Sequence, residues 1–173
     1  MNKDLLLAID QGTTGSTALF MDLQGRTVAK ANVEFPQHFP KPGWVEHRGE
    51  EILASVEAAV RKATAGDASL LERIAGIGIT NQRETTVAWD AVSGRPLHNA
   101  LVWQDTRTQD IISALNDDAV ALLHKRTGLR AATYFSGSKM KVPRARARLR
   151  LANRANALSA VAPAAARRRV CAA

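Results

Sequence analysis

Two clusters of residues could do chemistry. Asp10-Gln11-Gly12-Thr13-Thr14-Gly15-Ser16 is a Gly- and Thr-rich turn set directly behind a continuously apolar run. Successive backbone N–H groups in such a turn form an anion-binding nest. Threonine and serine hydroxyls add donors, and a carboxylate at a strand end can organise a magnesium ion directly or through water. Phosphate binding is the chemistry that suits it, although an ordinary polar hairpin accounts for the same residues equally well. It is not a P-loop, because GxxxxGK[ST] and its lysine are absent. The second cluster is Asn81-Gln82-Arg83-Glu84-Thr85-Thr86, at the end of an apolar run, where open α/β sheets place ligands. Arg83 supplies donors and Glu84 an acceptor. A polyol needs both, since each hydroxyl donates one hydrogen bond, accepts others, and is costly to bury unpaired. A surface salt-bridging pair is the plainer alternative. Trp103-Gln104-Asp105, Tyr134-Phe135 and Pro42-Gly43-Trp44 offer aromatic faces for the carbon–hydrogen edges of such a ligand, or else serve core and loop packing. His38, His47, His98 and His124 lack metal-ligand spacing and no G-x-S-x-G elbow occurs, which argues against metallohydrolase and serine-hydrolase chemistry.

These residues need elements to hold them, and the patterning is that of an α/β fold. Leu5–Ile9 reads as a strand covered on both faces. Ser16–Met21 resumes the β pattern, Asp22–Gly25 turns the chain, and Thr27–Phe35 alternates with period two. An antiparallel meander is expected to open the fold. Arg48–Ala63 has apolar residues at helical spacing, with Gly66 as the stop. Ile74–Thr80 is expected to be a second buried strand, its Gly76 and Gly78 permitting close backbone approach. Thr85–Trp89 is expected to pair next, after which Asp90–Gly94 turns the chain and Ala100–Trp103 forms a short strand. Thr108–Leu115 and Ala119–Arg126 read as helical, ended by Gly128. No period of a repeat protein recurs.

The chain has 173 residues and a formal net charge of +8, about one domain's worth. At this size a fold buries roughly 70% of the surface its unfolded chain exposes. A lone Cys171 excludes a disulfide framework and Cys-rich zinc sites. The apolar run Leu5–Ile9 is too short for a membrane span or secretory segment, so a cytoplasmic protein is expected. The charge is unevenly placed. Residues 1–141 hold 16 Lys+Arg and 16 Asp+Glu, whereas 142–173 hold eight Arg, twelve Ala and no acidic residue. The latter stretch has no evident core face. It is expected to be a disordered Arg/Ala tail or a partly helical one, and with no interleaved aromatics to stack bases, no specific nucleic acid is expected as partner.

DQGTTGST, PKPGWVEH, GITNQRETT, WQDTRT and YFSGSK together resemble the glycerol kinases of the FGGY carbohydrate kinase family, in family order and at near-family spacing over residues 4 to about 141. Related sugar kinases share the opening Asp-x-Gly-Thr turn but carry a different segment in place of NQRET, which favours glycerol over a pentulose. The resemblance implies an actin-like ATPase architecture of ribonuclease-H-like α/β domains, of which residues 1–141 form an incomplete first domain. It implies ATP and magnesium as cofactors, with Thr13, Thr14, Gly15 and Thr17 at the nucleotide phosphates and Asp10 positioning the metal. Relatives often carry a basic residue at the position of Thr17. Arg83, Glu84, Trp103 and Tyr134 would form the glycerol pocket, and the product would be sn-glycerol 3-phosphate. Family members oligomerise. The family's general base, adenine-binding segments and second domain are implied to lie beyond residue 173. After Lys141, relatives continue with Trp and an apolar helix where this chain turns to Val142-Pro143-Arg144, a change that a shifted reading frame would produce. One reading is therefore a glycerol kinase whose sequence stands here in truncated or frame-shifted form; made as written, the 173-residue chain is expected to be inactive and of low stability, with apolar sheet faces exposed. A non-enzymatic chain that presents its Arg tail to acidic partners is the other reading.

Overall fold

The computed structural model describes residues 3–90 and 92–142; the sequence-based reading of the tail at 142–173 lies outside the described residues from residue 143 on. The chain divides into two compact units, one of residues 3–37 and 48–82, the other of 38–47 and 83–142.

The first unit is a four-stranded sheet in the order β3-β2-β1-β5, built from β1 (Leu5–Gln11), β2 (Gly15–Asp22), β3 (Thr27–Glu34) and β5 (Ile74–Asn81). The opening meander is antiparallel and β5 joins β1 in parallel, as expected of α/β patterning. Period-two alternation sends Leu5, Leu7, Ala18 and Phe20 to one face, where helix α1 (Gly49–Ala63) covers them. Ile52, Ser55 and Ala59 form the buried stripe of α1, at the three- and four-residue steps of a single helix face. Glu50 and Glu51 in its first turn and Arg61 and Lys62 in its last complement the helix dipole. The helix ends before Gly66 is reached. Thr64 donates its hydroxyl to the Val60 carbonyl at 3.0 Å, a side-chain cap that the Gly-stop expectation overlooked. A two-pronged ion pair, Arg73 to Asp4, ties the start of β1 to the segment entering β5.

The expectation of a buried strand over Ile74–Thr80 is corrected. Ile77 is 60% and Ile79 44% exposed. They share the α1 side of the sheet with Leu7 and Ile9, but α1 packs chiefly on β2 and β3, and β5 is the sheet edge among the described residues. The glycines of this strand do not serve close approach either. A Cβ on Gly76 would make an ordinary 3.5 Å contact with Leu6, and one on Gly78 would meet nothing within 4 Å.

The second unit is mostly loop. Its sheet is a two-residue antiparallel pair, β4 (Glu46–His47) with β6 (Ala100–Leu101), so the expected strand Ala100–Trp103 is cut to half. Thr85–Trp89 is not a strand. It pairs through single bridges only, Thr86 with Leu101 and Trp89 with Pro96: Thr86 and Leu101 exchange both backbone hydrogen bonds at 2.8 and 2.9 Å, and Ala88 accepts from Leu97 N–H at 2.8 Å. Short helices α2 (Gln109–Ser113), α3 (Asp117–Thr127) and α4 (Ser136–Lys139) follow. Asn116 caps α3 by accepting from the Ala119 N–H at 2.9 Å. Gly128, at φ 71°, ends it in the left-handed conformation that glycine adopts without strain.

Candidate functional site

The phosphate candidates lie in the first unit, on the turn between β1 and β2. This turn is held by its carbonyls. Gly12 N–H donates to the Gly15 carbonyl at 2.9 Å and Phe35 N–H to the Thr14 carbonyl at 3.3 Å. Gln37 Nε2 donates to the Thr13 carbonyl at 3.1 Å. Buried Gln11 anchors the base, with its Nε2 on the Gly12 carbonyl and its own carbonyl accepting from Gln82 N–H at 2.7 Å. Gly15 is required by close approach, since a Cβ there would sit 2.8 Å from the Val33 carbonyl oxygen. Thr14 is exposed and Thr13 half-buried.

Asp10 is exposed at the end of β1 and pairs in register with Thr17. Both line an open pocket of about 480 Å³ on the sheet face away from α1, together with Lys30, Gly78 and Thr80. The Thr17 hydroxyl accepts from Asn32 Nδ2 at 2.9 Å. No group of three or more His, Cys, Asp or Glu side chains gathers among the described residues. A single carboxylate facing an open polar pocket fits a magnesium ion that keeps most of its waters and takes its other ligands from phosphate. It does not fit a dedicated protein cage.

The polyol candidates lie in the second unit, and the structure brings most of them together. Glu84 has a φ of 64°, a left-handed conformation that costs a non-glycine residue on the order of 1 kcal/mol or more and that concentrates at functional sites. Its carboxylate accepts from the Ser136 N–H at 2.8 Å and the Ser136 hydroxyl at 2.9 Å. It therefore turns toward the Tyr134 segment and not into a salt bridge with Arg83, which is itself exposed. The rings of Trp103 and Tyr134 meet at 5.4 Å and 60°, and Tyr134 and Phe135 meet edge-on at 5.1 Å. Tyr134 is 43% exposed, leaving an aromatic face for a ligand.

Trp44 goes elsewhere. The Arg107 guanidinium lies 3.8 Å from its ring centroid, so it takes the loop-packing role. Arg107 also reaches Asp105 through three contacts of 2.8–3.0 Å and Glu46 at 2.8 Å. Asp105 further accepts from Val45 N–H at 2.7 Å. Burial works against ionisation of Glu46, yet hydrogen bonds from Asn99 and Arg107 outweigh it and hold the carboxyl below its usual range. This buried network joins the PGWVEH loop to the WQDTRT turn that carries Trp103. Sequence reasoning missed it. The carboxylate and guanidinium two residues apart in Asp105-Thr106-Arg107 were the available signal.

A glycerol kinase from Ectopseudomonas mendocina is 51% identical over 149 residues, covering 83% of this chain and 30% of that protein. One from Bacillus mycoides is 46% identical over 140 residues, covering 80% and 28%. The chain thus spans under a third of the length of the curated relatives it matches. Among solved structures, Plasmodium falciparum glycerol kinase with ADP superposes with a TM-score of 0.68 at 34% identity, over 80% of this chain and 28% of that one. A xylulose kinase from Rhodospirillum rubrum gives 0.72 at 22% identity, over 79% and 28%, a likeness of fold alone. The architecture is that of the actin-like ATPases, of which this chain covers part of one domain. Residues 5–149 match the N-terminal domain of the FGGY family of carbohydrate kinases, and the chain belongs to that family.

Proposed function

We propose that the chain carries the N-terminal portion of a glycerol kinase, which transfers the γ-phosphoryl group of ATP to a terminal hydroxyl of glycerol to give sn-glycerol 3-phosphate. The observation that carries the reading is the assembly in the second unit. Glu84, held in a strained backbone and oriented by Ser136, shares that unit with the tilted Trp103–Tyr134 ring pair and with exposed Arg83. A small polyol offers hydroxyls to the carboxylate and guanidinium and carbon–hydrogen edges to the rings. Relatives named as glycerol kinases support glycerol as the polyol, and the ADP named with the Plasmodium falciparum enzyme supports ATP as the donor.

In this reading, the turn Thr13-Thr14-Gly15 and the hydroxyl of Thr17 receive the nucleotide phosphates, and Asp10 holds magnesium through water. When bound, that ion neutralises phosphate charge, the dominant need of a phosphoryl transfer. The chain's own residues bind and orient: Glu84 accepts from a glycerol hydroxyl, Arg83 donates to one, and the ring pair excludes water from the carbon skeleton. Binding is the direct readout of these roles. Saturation-transfer NMR is expected to show glycerol contacts that Glu84→Gln and Trp103→Leu abolish. The reading falls if glycerol receives no saturation from folded protein, or if Glu84→Gln leaves the transfer unchanged.

A further inference from the structure

Lys139 is completely buried. No carboxylate lies within ion-pair distance of it among the described residues. Its Nζ instead donates to three backbone carbonyls, those of Trp103 at 3.2 Å, Tyr134 at 3.1 Å and Thr133. An ammonium has three N–H donors, and all three are spent on main chain. Burying a charge without a counter-ion costs more than burying a methionine of similar length, so space-filling alone does not account for a lysine here. The rest of the turn is used the same way. Ser136 serves Glu84, and the Ser138 hydroxyl meets that of Thr108 at 2.8 Å. What the lysine joins is two chain segments distant in sequence, one carrying Trp103 and the other Tyr134, the two rings of the aromatic pair.

We propose that Lys139 is a positioning residue for the polyol pocket, its ammonium clamping the Trp103 and Tyr134 backbones so that their rings keep the tilted 5.4 Å contact. The inference rests on the pocket being a polyol site, while the clamp on the two rings stands independently of it. The clamp is sensitive to charge. Burial pushes the Lys139 ammonium down to about 8, against the opposing pull of Asp105 and Glu84. A neutral amine keeps two N–H donors for three carbonyls, so deprotonation releases one of them.

The test uses the full chain carrying 5-fluorotryptophan, with its three tryptophans assigned by single Trp→Phe replacements. The fluorine resonance of Trp103 is expected to move with a midpoint near pH 8, while Trp44 stays fixed. In Lys139→Met the Trp103 resonance is expected to be displaced and pH-independent, and glycerol to bind on the order of tenfold or more weakly, the scale set by a misplaced contact surface. An unchanged Trp103 resonance and glycerol affinity in a Lys139→Met protein that keeps its Trp44 signal would overturn the proposal. If that variant loses its Trp44 signal, the wild-type titration decides, and a flat Trp103 resonance through the midpoint overturns it equally. If glycerol leaves wild type unperturbed while Trp103 still follows Lys139, the clamp is upheld and the polyol reading fails.

Discussion

Replacing Arg107 by methionine is the sharpest test of what holds the second unit. The guanidinium side chain is 3% exposed, and it faces Asp105 at 0% and Glu46 at 7%. Methionine keeps much of the length and removes the charge, leaving two buried carboxylates with no cation between them. Breaking a buried ion pair from one side costs roughly 3–5 kcal/mol. Two features bear on where in that range the loss falls. Arg107 stacks on Trp44, which adds to the loss. Its Nη1 is buried without a partner among the described residues, a defect that the substitution removes, and that places the net loss near 3 kcal/mol. Against a typical domain stability of about 5–15 kcal/mol, this is a large share. Urea denaturation followed by tryptophan fluorescence reads it as a lowered midpoint at unchanged slope. The loss is expected to shrink as pH falls through the carboxylate range, because Arg107 helps hold the Glu46 carboxyl below its usual range and without it that carboxyl takes up a proton more readily. A loss below about 1 kcal/mol, or one independent of pH, would refute the network as a buried electrostatic tie.

Three further outcomes are expected. Gly15→Ala forces a Cβ to within 2.8 Å of the Val33 carbonyl oxygen and is expected to cost about 1–3 kcal/mol, read as a lowered thermal midpoint. Glu84→Gln keeps an acceptor for Ser136 but loses the charge; thermal stability is expected to hold within about 1 kcal/mol while glycerol saturation transfer disappears. Lys139 titrates lower in the folded chain than its ordinary 10.5, at about 8, so between these values the unfolded chain binds more protons. Stability is therefore expected to rise with pH across that window, and urea midpoints at several pH values would show no such rise if the lysine were solvated, because it would then bind protons equally folded and unfolded.

The meander and α1 were legible because each repeats a period, two along β1 to β3 and three to four along α1, with one apolar face to bury. The end of α3 was legible through Gly128. β4, at two residues, is too short to show any period, and β6 was legible as an apolar run but not in its length. The exposed face of β5 escaped because Ile74-Ala75-Gly76-Ile77 reports hydrophobicity, not whether a neighbour is present to cover it. Of the site, the turn at Asp10 and the Arg83-Glu84 pair announced themselves by type and spacing, and Trp103 and Tyr134 through the motifs around them. Lys139 gave no signal, since a lysine in sequence reads as solvated and only the three converging carbonyls reveal otherwise.

The path of the chain has a consequence for synthesis. Residues 38–47 leave the first unit, belong to the second, and return the chain to α1. On the ribosome, every strand of the first sheet is available once Asn81 has emerged. The excursion, by contrast, must wait for Ala100–Leu101 to pair with β4, and for Asp105 to receive the Val45 amide across 60 residues. During that interval Trp44 and the Glu46 carboxylate are solvated, and the nascent chain presents a tethered loop with both ends already fixed. Such a loop lowers the entropy left to lose when the second unit closes. It also dates the vulnerability of the nascent chain: protease sensitivity at residues 38–47 should vanish only when Arg107 clears the exit tunnel.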